Sequence, residues 1–131
     1  MKKIFVDSDY LIDYLRRQAY TKPLIEKIQS RQAEASISVV TVFELYVGAL
    51  LSNNPGKRFE DVETLLSWFR IVDINKEIML IAAKINVDLR KKGFMIGIQD
   101  VLIAASSISA NTPLITNNTM HFQKIEGLKL E

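Results

Sequence analysis

Three acidic residues stand where a folded domain ordinarily places apolar ones. Asp7 closes the run Ile4-Phe5-Val6, Glu44 is framed by Val42, Phe43 and Leu45, and Asp100 opens Val101-Leu102-Ile103-Ala104-Ala105. A carboxylate among apolar neighbours loses hydration, and it persists where a cation or a strong hydrogen-bond partner compensates. Carboxylate oxygens are also the ligands that Mg²⁺ and Mn²⁺ prefer, and such ions lower the pKa of a bound water and clamp phosphoryl oxygens. The pattern points to a metal site built from distant segments. Each acid also has a structural reading: Asp7 starts a turn, Glu44 completes a capping box with Thr41, and Asp100 favours a helix start.

The rest of the inventory narrows the chemistry. There is no cysteine, so thiolate nucleophiles, thiolate metal sites and disulfides are excluded. With His121 as the only histidine, RNA cleavage by a histidine pair is excluded and zinc lacks its preferred ligands. Metal-assisted hydrolysis through oxygen ligands needs nothing beyond the acids present.

Alternating strand and helix signals supply the elements that position these residues. Residues 3–6 read as a buried strand, and Ser8 or Asp9 caps a helix carrying Leu11, Ile12, Tyr14 and Leu15. Thr21-Lys22-Pro23 starts a second helix. Residues 35–40 are β-branched and predict a strand, with Thr41 capping a helix over 42–51 until Asn53-Asn54-Pro55-Gly56 breaks the chain. Phe59, Val62, Leu65, Leu66 and Phe69 mark a further helix, and 71–74 a strand. A long helix carries Ile78, Ile81, Ala82, Ile85 and Leu89 and ends at Gly93. Asp100 begins a helix through Ile108, residues 113–116 form another buried strand, and 127–130 an edge strand. Short apolar strands separated by helices predict an α/β sandwich with a largely parallel sheet. In such sheets functional groups gather beyond the carboxyl ends of the strands, which gives Asp7, Glu44, Asp100 and Thr116 one rim.

A chain of 131 residues, 48% of them apolar, has the length and composition of one domain over 1–131 with a real core. Lys2 and Lys3 are followed by only three apolar residues before Asp7, far short of a signal sequence, and the run from Ile78 to Ala83 is too short to cross a bilayer. The expected setting is cytoplasmic, with no membrane partner. The formal net charge of +2 hides a more positive remainder once three acids are neutralised at a site. Arg16-Arg17, Lys57-Arg58 and Arg90-Lys91-Lys92 are short basic clusters that either hold phosphates or are solvated helix ends.

Four stretches taken in order carry a resemblance. They are Val6-Asp7-Ser8-Asp9-Tyr10-Leu11-Ile12; Ser38 to Leu45 with Gly48; Gly97 to Ala105; and Leu114-Ile115-Thr116-Asn117-Asn118 with His121-Phe122. Together they resemble the motifs of PIN-domain ribonucleases, and most of all the VapC toxins of toxin–antitoxin pairs, from Ile4 to about Leu130. The resemblance implies a PIN-like three-layer α/β/α sandwich with a short, mainly parallel central sheet. It also implies an Mg²⁺- or Mn²⁺-dependent endoribonuclease that inhibits translation and growth. Asp7, Glu44 and Asp100 match the metal ligands, while Ser8 and Thr116 match supporting hydroxyl positions. Asn118 falls where many members of the superfamily have a further acid, which puts a second ion in doubt, and Asp9 either compensates or caps the first helix. The implied partners are RNA, with tRNA or another structured RNA as substrate, a VapB-type antitoxin, a second copy of the chain in a homodimer, and operator DNA through the antitoxin.

Other residues favour structural roles. Gly48 suits tight helix packing, His121 beside Phe122 suits a loop contact, and Tyr10, Tyr14 and Tyr46 suit core or dimer contacts. Trp68 and Phe69 belong to an amphipathic stripe. Two rival readings stay open at this point. In one, the segment Ile4 to Asp9 resembles the first motif of haloacid-dehalogenase-type phosphatases, with Asp7 as nucleophile and Asp9 as acid/base. In the other, the fold serves as a weakly catalytic RNA- or protein-binding module.

Overall fold

The computed structural model describes residues 1–131. Four strands form its sheet: β1 (Lys2–Val6), β2 (Ala33–Ser38), β3 (Arg70–Val72) and β4 (Leu114–Ile115). Their order is β3-β2-β1-β4 and every pairing is parallel, with Ile4 beside Ala35 and Phe5 beside Leu114. Parallel neighbours require crossovers, and the helices making them cover both faces. Hence Ile4, Phe5 and Val6 are all fully buried.

The strand pleat sorts these side chains into two cores. Ile4 and Val6 pack with Ala35 and Ile37 against α1 (Ser8–Leu15), α2 (Lys22–Gln29), α3 (Val39–Leu50) and α4 (Pro55–Leu66). Phe5 and Leu114 point the other way, against α5 (Lys76–Lys91), α6 (Ile98–Ser109) and α7 (Thr119–Phe122). This is the expected α/β/α sandwich, with the sheet wholly parallel.

Local sequence explains most boundaries. Asn54 precedes Pro55 and its side chain accepts from Lys57 N–H at 3.3 Å. Asn75 does the same for Ile78 at 2.9 Å, and α5 buries Ile78, Ala82, Ile85 and Leu89 along one stripe. That helix ends as expected at Gly93, whose φ of +69° lets Gly93 N–H reach Arg90 O and Phe94 N–H reach Leu89 O.

Asp7, not Ser8 or Asp9, caps α1. The β-branched pair Val39-Val40 lies in α3 rather than in a strand, because the Ser38 hydroxyl accepts from Val40 N–H at 3.1 Å and starts the helix three residues before Thr41 is reached. Glu44 is therefore in the second turn of α3. Thr21 precedes α2 without a capping bond, its hydroxyl donating instead to Gln18 O at 2.7 Å in a 3₁₀ turn over Ala19–Thr21. Residues 127–130 supply only a single bridge, Leu130 to Leu114. A Cβ at Gly48 would meet nothing within 4 Å, so tight packing does not explain that glycine.

The topology creates one special place. From β1 the chain moves to β2 and β3 on one side, and β4 later joins β1 on the other, so the direction of winding reverses at β1. Open parallel sheets leave a crevice at such a reversal, beyond the carboxyl ends of the strands. Asp7 directly follows β1 and Thr116 directly follows β4.

Candidate metal centre

Asp7 is 4% exposed, and both its oxygens are held. Ser8 N–H donates to Oδ1 at 2.8 Å, and the Thr116 hydroxyl donates to Oδ2 at 2.7 Å across the β1–β4 boundary. Thr116 Oγ1 in turn accepts from Asn118 N–H at 2.9 Å, which fixes the backbone beyond β4.

A second branch starts at Ser8, the first residue of α1. Its hydroxyl donates to Glu44 Oε1 at 2.8 Å and lies 2.8 Å from Thr41 Oγ1. One hydroxyl has one proton, so Thr41 donates to Ser8 while Ser8 donates to Glu44. Ser8 and Thr41 are almost completely buried, and the relay orients Glu44 from below.

The third acid arrives on α6. Asp100 lies in the first turn of that helix, where free N–H groups favour negative charge. Its Oδ2 is 3.3 Å from His121 Nδ1, and the same nitrogen is 2.7 Å from the Asn118 side-chain amide. A continuous set of hydrogen bonds thus links Thr41 and Glu44 on α3, Ser8 and Asp7 at the β1–α1 junction, Thr116, Asn118 and His121 after β4, and Asp100 on α6.

The electrostatics are those of crowded carboxylates. Burial, then the charge of Asp9, pushes the Asp7 carboxyl up to about 7. Burial also raises Glu44, with further repulsion from Asp100 and Asp9, while its Ser8 hydrogen bond acts in the opposite sense. Asp9 Oδ1 is buried without any hydrogen-bond partner. A buried, unpartnered acceptor beside raised carboxyls is a deficit of positive charge. Every donor is oxygen apart from one imidazole, so the residues fit a hard divalent cation. As they stand, no three His, Asp or Glu side chains converge as a finished ligand cage.

All seven residues singled out in the sequence therefore gather in this region, with Asp9 as an electrostatic neighbour on α1. The capping-box reading of Glu44 is not realised, because Thr41 bonds to Ser8 and Ser38 caps α3. The reading of Asp7 as a phosphatase nucleophile gives Glu44 and Asp100 no role, whereas the hydrogen-bond network joins both to Asp7.

Sequence reasoning missed Thr41 and His121 as members of the site. The signal for Thr41 was its position one turn from Glu44, masked by its suitability as a cap. His121 lay one residue from Phe122, which is fully buried and anchors α7, so a structural role absorbed it. The tyrosines are core contacts: Tyr10 packs edge-on to Tyr20, Tyr14 edge-on to Trp68, and Tyr46 stacks on Phe59. Of the basic clusters, Lys57 and Arg58 pair with Asp61, and Lys92 with Asp88 and Glu126. A cleft of about 510 Å³ between the end of α1 and α4 contains none of the network's residues.

A family profile described as PIN domain matches residues 4–128. Ribonuclease VapC1 of Methanocaldococcus jannaschii is 32% identical over 130 residues, covering 98% of this chain and 86% of that protein. The tRNA(fMet)-specific endonuclease VapC of Salmonella typhimurium is 26% identical over 131 residues, covering 100% of this chain and 98% of that protein. Among solved structures, DNA-bound VapBC from Salmonella typhimurium superimposes with a TM-score of 0.90 at 26% identity, covering 100% of this chain and 98% of that one. The likeness runs the full length of the fold that carries the acidic network, and the chain belongs to the PIN domain family, among its VapC ribonucleases.

Proposed function

We propose that this chain, as a single PIN-like domain over residues 1–131, is a divalent-metal-dependent endoribonuclease that hydrolyses RNA phosphodiester bonds. Asp7, Glu44 and Asp100 would hold the ion. The observation that carries this reading is the hydrogen-bond network that brings three acids from the β1–α1 junction, α3 and α6 to the winding reversal of the sheet. Closing these side chains on an ion offsets the burial, and the like-charge repulsion added to it, that raise Asp7 and Glu44. Mg²⁺ is the proposed ion, with Mn²⁺ as its substitute. When bound, it supplies a water acidic enough to attack at neutral pH and positive charge for the phosphoryl oxygens.

The chain's own residues divide the remaining work. Thr116 and Ser8 N–H hold both oxygens of Asp7, so the carboxylate is oriented before substrate arrives. The Thr41–Ser8 relay does the same for Glu44. Asn118 brings no charge and its amide is engaged with His121, which favours one firmly held ion. Asp9, with one buried unpartnered oxygen, adds negative charge close to Asp7.

As to biology, the proposed role is the toxin of a toxin–antitoxin pair that inhibits translation and growth, acting in the cytoplasm where its RNA substrates lie. The relative acting on tRNA(fMet) supports tRNA as substrate class, and the DNA-bound VapBC structure supports a VapB-type antitoxin through which operator DNA is reached. A homodimer is proposed through α3, which leaves Phe43, Val47 and Leu50 exposed along one stripe. No helix is long and apolar enough to cross a membrane. Incubating purified protein with total tRNA tests the activity: discrete fragments are expected with Mg²⁺ or Mn²⁺ and none with EDTA.

A further inference from the structure

Each acid of the centre has a dedicated holder. Asp7 is held by Thr116 and Ser8 N–H, and Glu44 by the Ser8 hydroxyl. Asp100 has one polar side-chain contact, His121 Nδ1 at 3.3 Å. His121 sits on α7, whose next residue, Phe122, is fully buried in the core, so the imidazole is carried on an anchored element although the ring itself is partly exposed. Asn118, one turn earlier, closes on the same Nδ1 at 2.7 Å, and its backbone N–H is tied to Thr116 and through it to Asp7.

A carboxylate only accepts, so the contact with Asp100 places the imidazole proton on Nδ1. Asn118 then presents its carbonyl oxygen to that proton, an exchange of amide ends that heavy-atom positions permit. Resting on the metal-centre reading above, we propose that His121 is the positioning residue for Asp100. Its Nδ1–H fixes one carboxylate oxygen and leaves the other for the ion. The segment after β4 thereby sets the orientation of two acids at once, Asp7 through Thr116 and Asp100 through His121.

The test separates Nδ1 from Nε2. An asparagine side chain places its amide near the position of histidine Nδ1, and a glutamine side chain reaches toward Nε2. His121→Ala, His121→Asn and His121→Gln are compared with wild type by calorimetric titration with Mn²⁺, by kcat and KM on tRNA, and by circular dichroism. The expected result is about 10–100-fold weaker Mn²⁺ binding in H121A, with kcat lowered more than KM is raised, and recovery of Mn²⁺ affinity in H121N but not H121Q. Unchanged Mn²⁺ affinity in H121A, alongside normal binding by wild type, overturns this inference alone. Recovery by H121Q and not H121N overturns it in favour of a direct role for Nε2. Absence of Mn²⁺ binding by wild type overturns the metal-centre reading and this inference with it.

Discussion

The Thr116 hydroxyl donates to Asp7 Oδ2 at 2.7 Å, joining residues 109 apart in sequence across the boundary between β1 and β4. This bond opposes the rise that burial imposes on the Asp7 carboxyl. Thr116→Val keeps the side-chain shape and removes the donor. It should raise the Asp7 pKa further and weaken both Mn²⁺ affinity and RNA cleavage about 10–100-fold, with the circular dichroism spectrum unchanged. Calorimetry and initial rates on tRNA check the two effects together.

Ser8 occupies the middle of the relay from Thr41 to Glu44. Ser8→Ala leaves the fully buried Thr41 hydroxyl without its partner, and a buried unsatisfied group costs about 1–3 kcal/mol. Urea denaturation should show that loss. The double variant Ser8→Ala with Thr41→Val should recover part of the stability without recovering activity, because Glu44 still lacks its donor.

The raised Asp7 carboxyl predicts how the metal-free protein responds to pH. The folded state keeps the proton up to about 7, whereas the unfolded chain releases it near the ordinary value of 3.8. Between those values the folded state binds more protons, so stability falls as pH rises from about 4 to about 7. Glu44 shifts in the same direction. Thermal melts in EDTA should show this decline, saturating Mn²⁺ should abolish it, and Asp7→Asn should flatten it. At pH 8 in EDTA, D7N should melt above wild type by roughly 4 °C, the shift that about 1 kcal/mol produces in a domain of this size.

Phe43 is 63% exposed at the start of the α3 stripe, while its neighbour Glu44 faces the site. Phe43→Glu should convert the proposed homodimer to monomer in light scattering at micromolar concentration, with the fold retained. A wild-type monomer under the same conditions would refute the dimer.

The fold was largely legible because its signals are redundant. The buried run Ile4-Phe5-Val6 and the stripe Ile78, Ala82, Ile85 and Leu89 each combine pattern with length, and Gly93 marks a helix end by backbone geometry. At the β2–α3 junction sequence pattern and structure diverge: Val39 and Val40 favour strands, while a Ser38 capping bond and packing within α3 decide the outcome. The three acids stood out by type against apolar neighbours. Of their holders, Ser8 and Thr116 were legible only through the family resemblance and Thr41 and His121 were not, since these side chains acquire meaning only when α1, α3, α6 and α7 converge, and no local spacing encodes that convergence.

The most direct test of the centre is Mn²⁺ titration and tRNA cleavage by Asp7→Asn, Glu44→Gln and Asp100→Asn beside wild type, each shown to be folded. The expected result is one wild-type ion-binding event that is weakened or lost in all three variants, together with metal-dependent cleavage. A folded D7N or D100N variant that binds Mn²⁺ and cuts RNA as wild type does would contradict it.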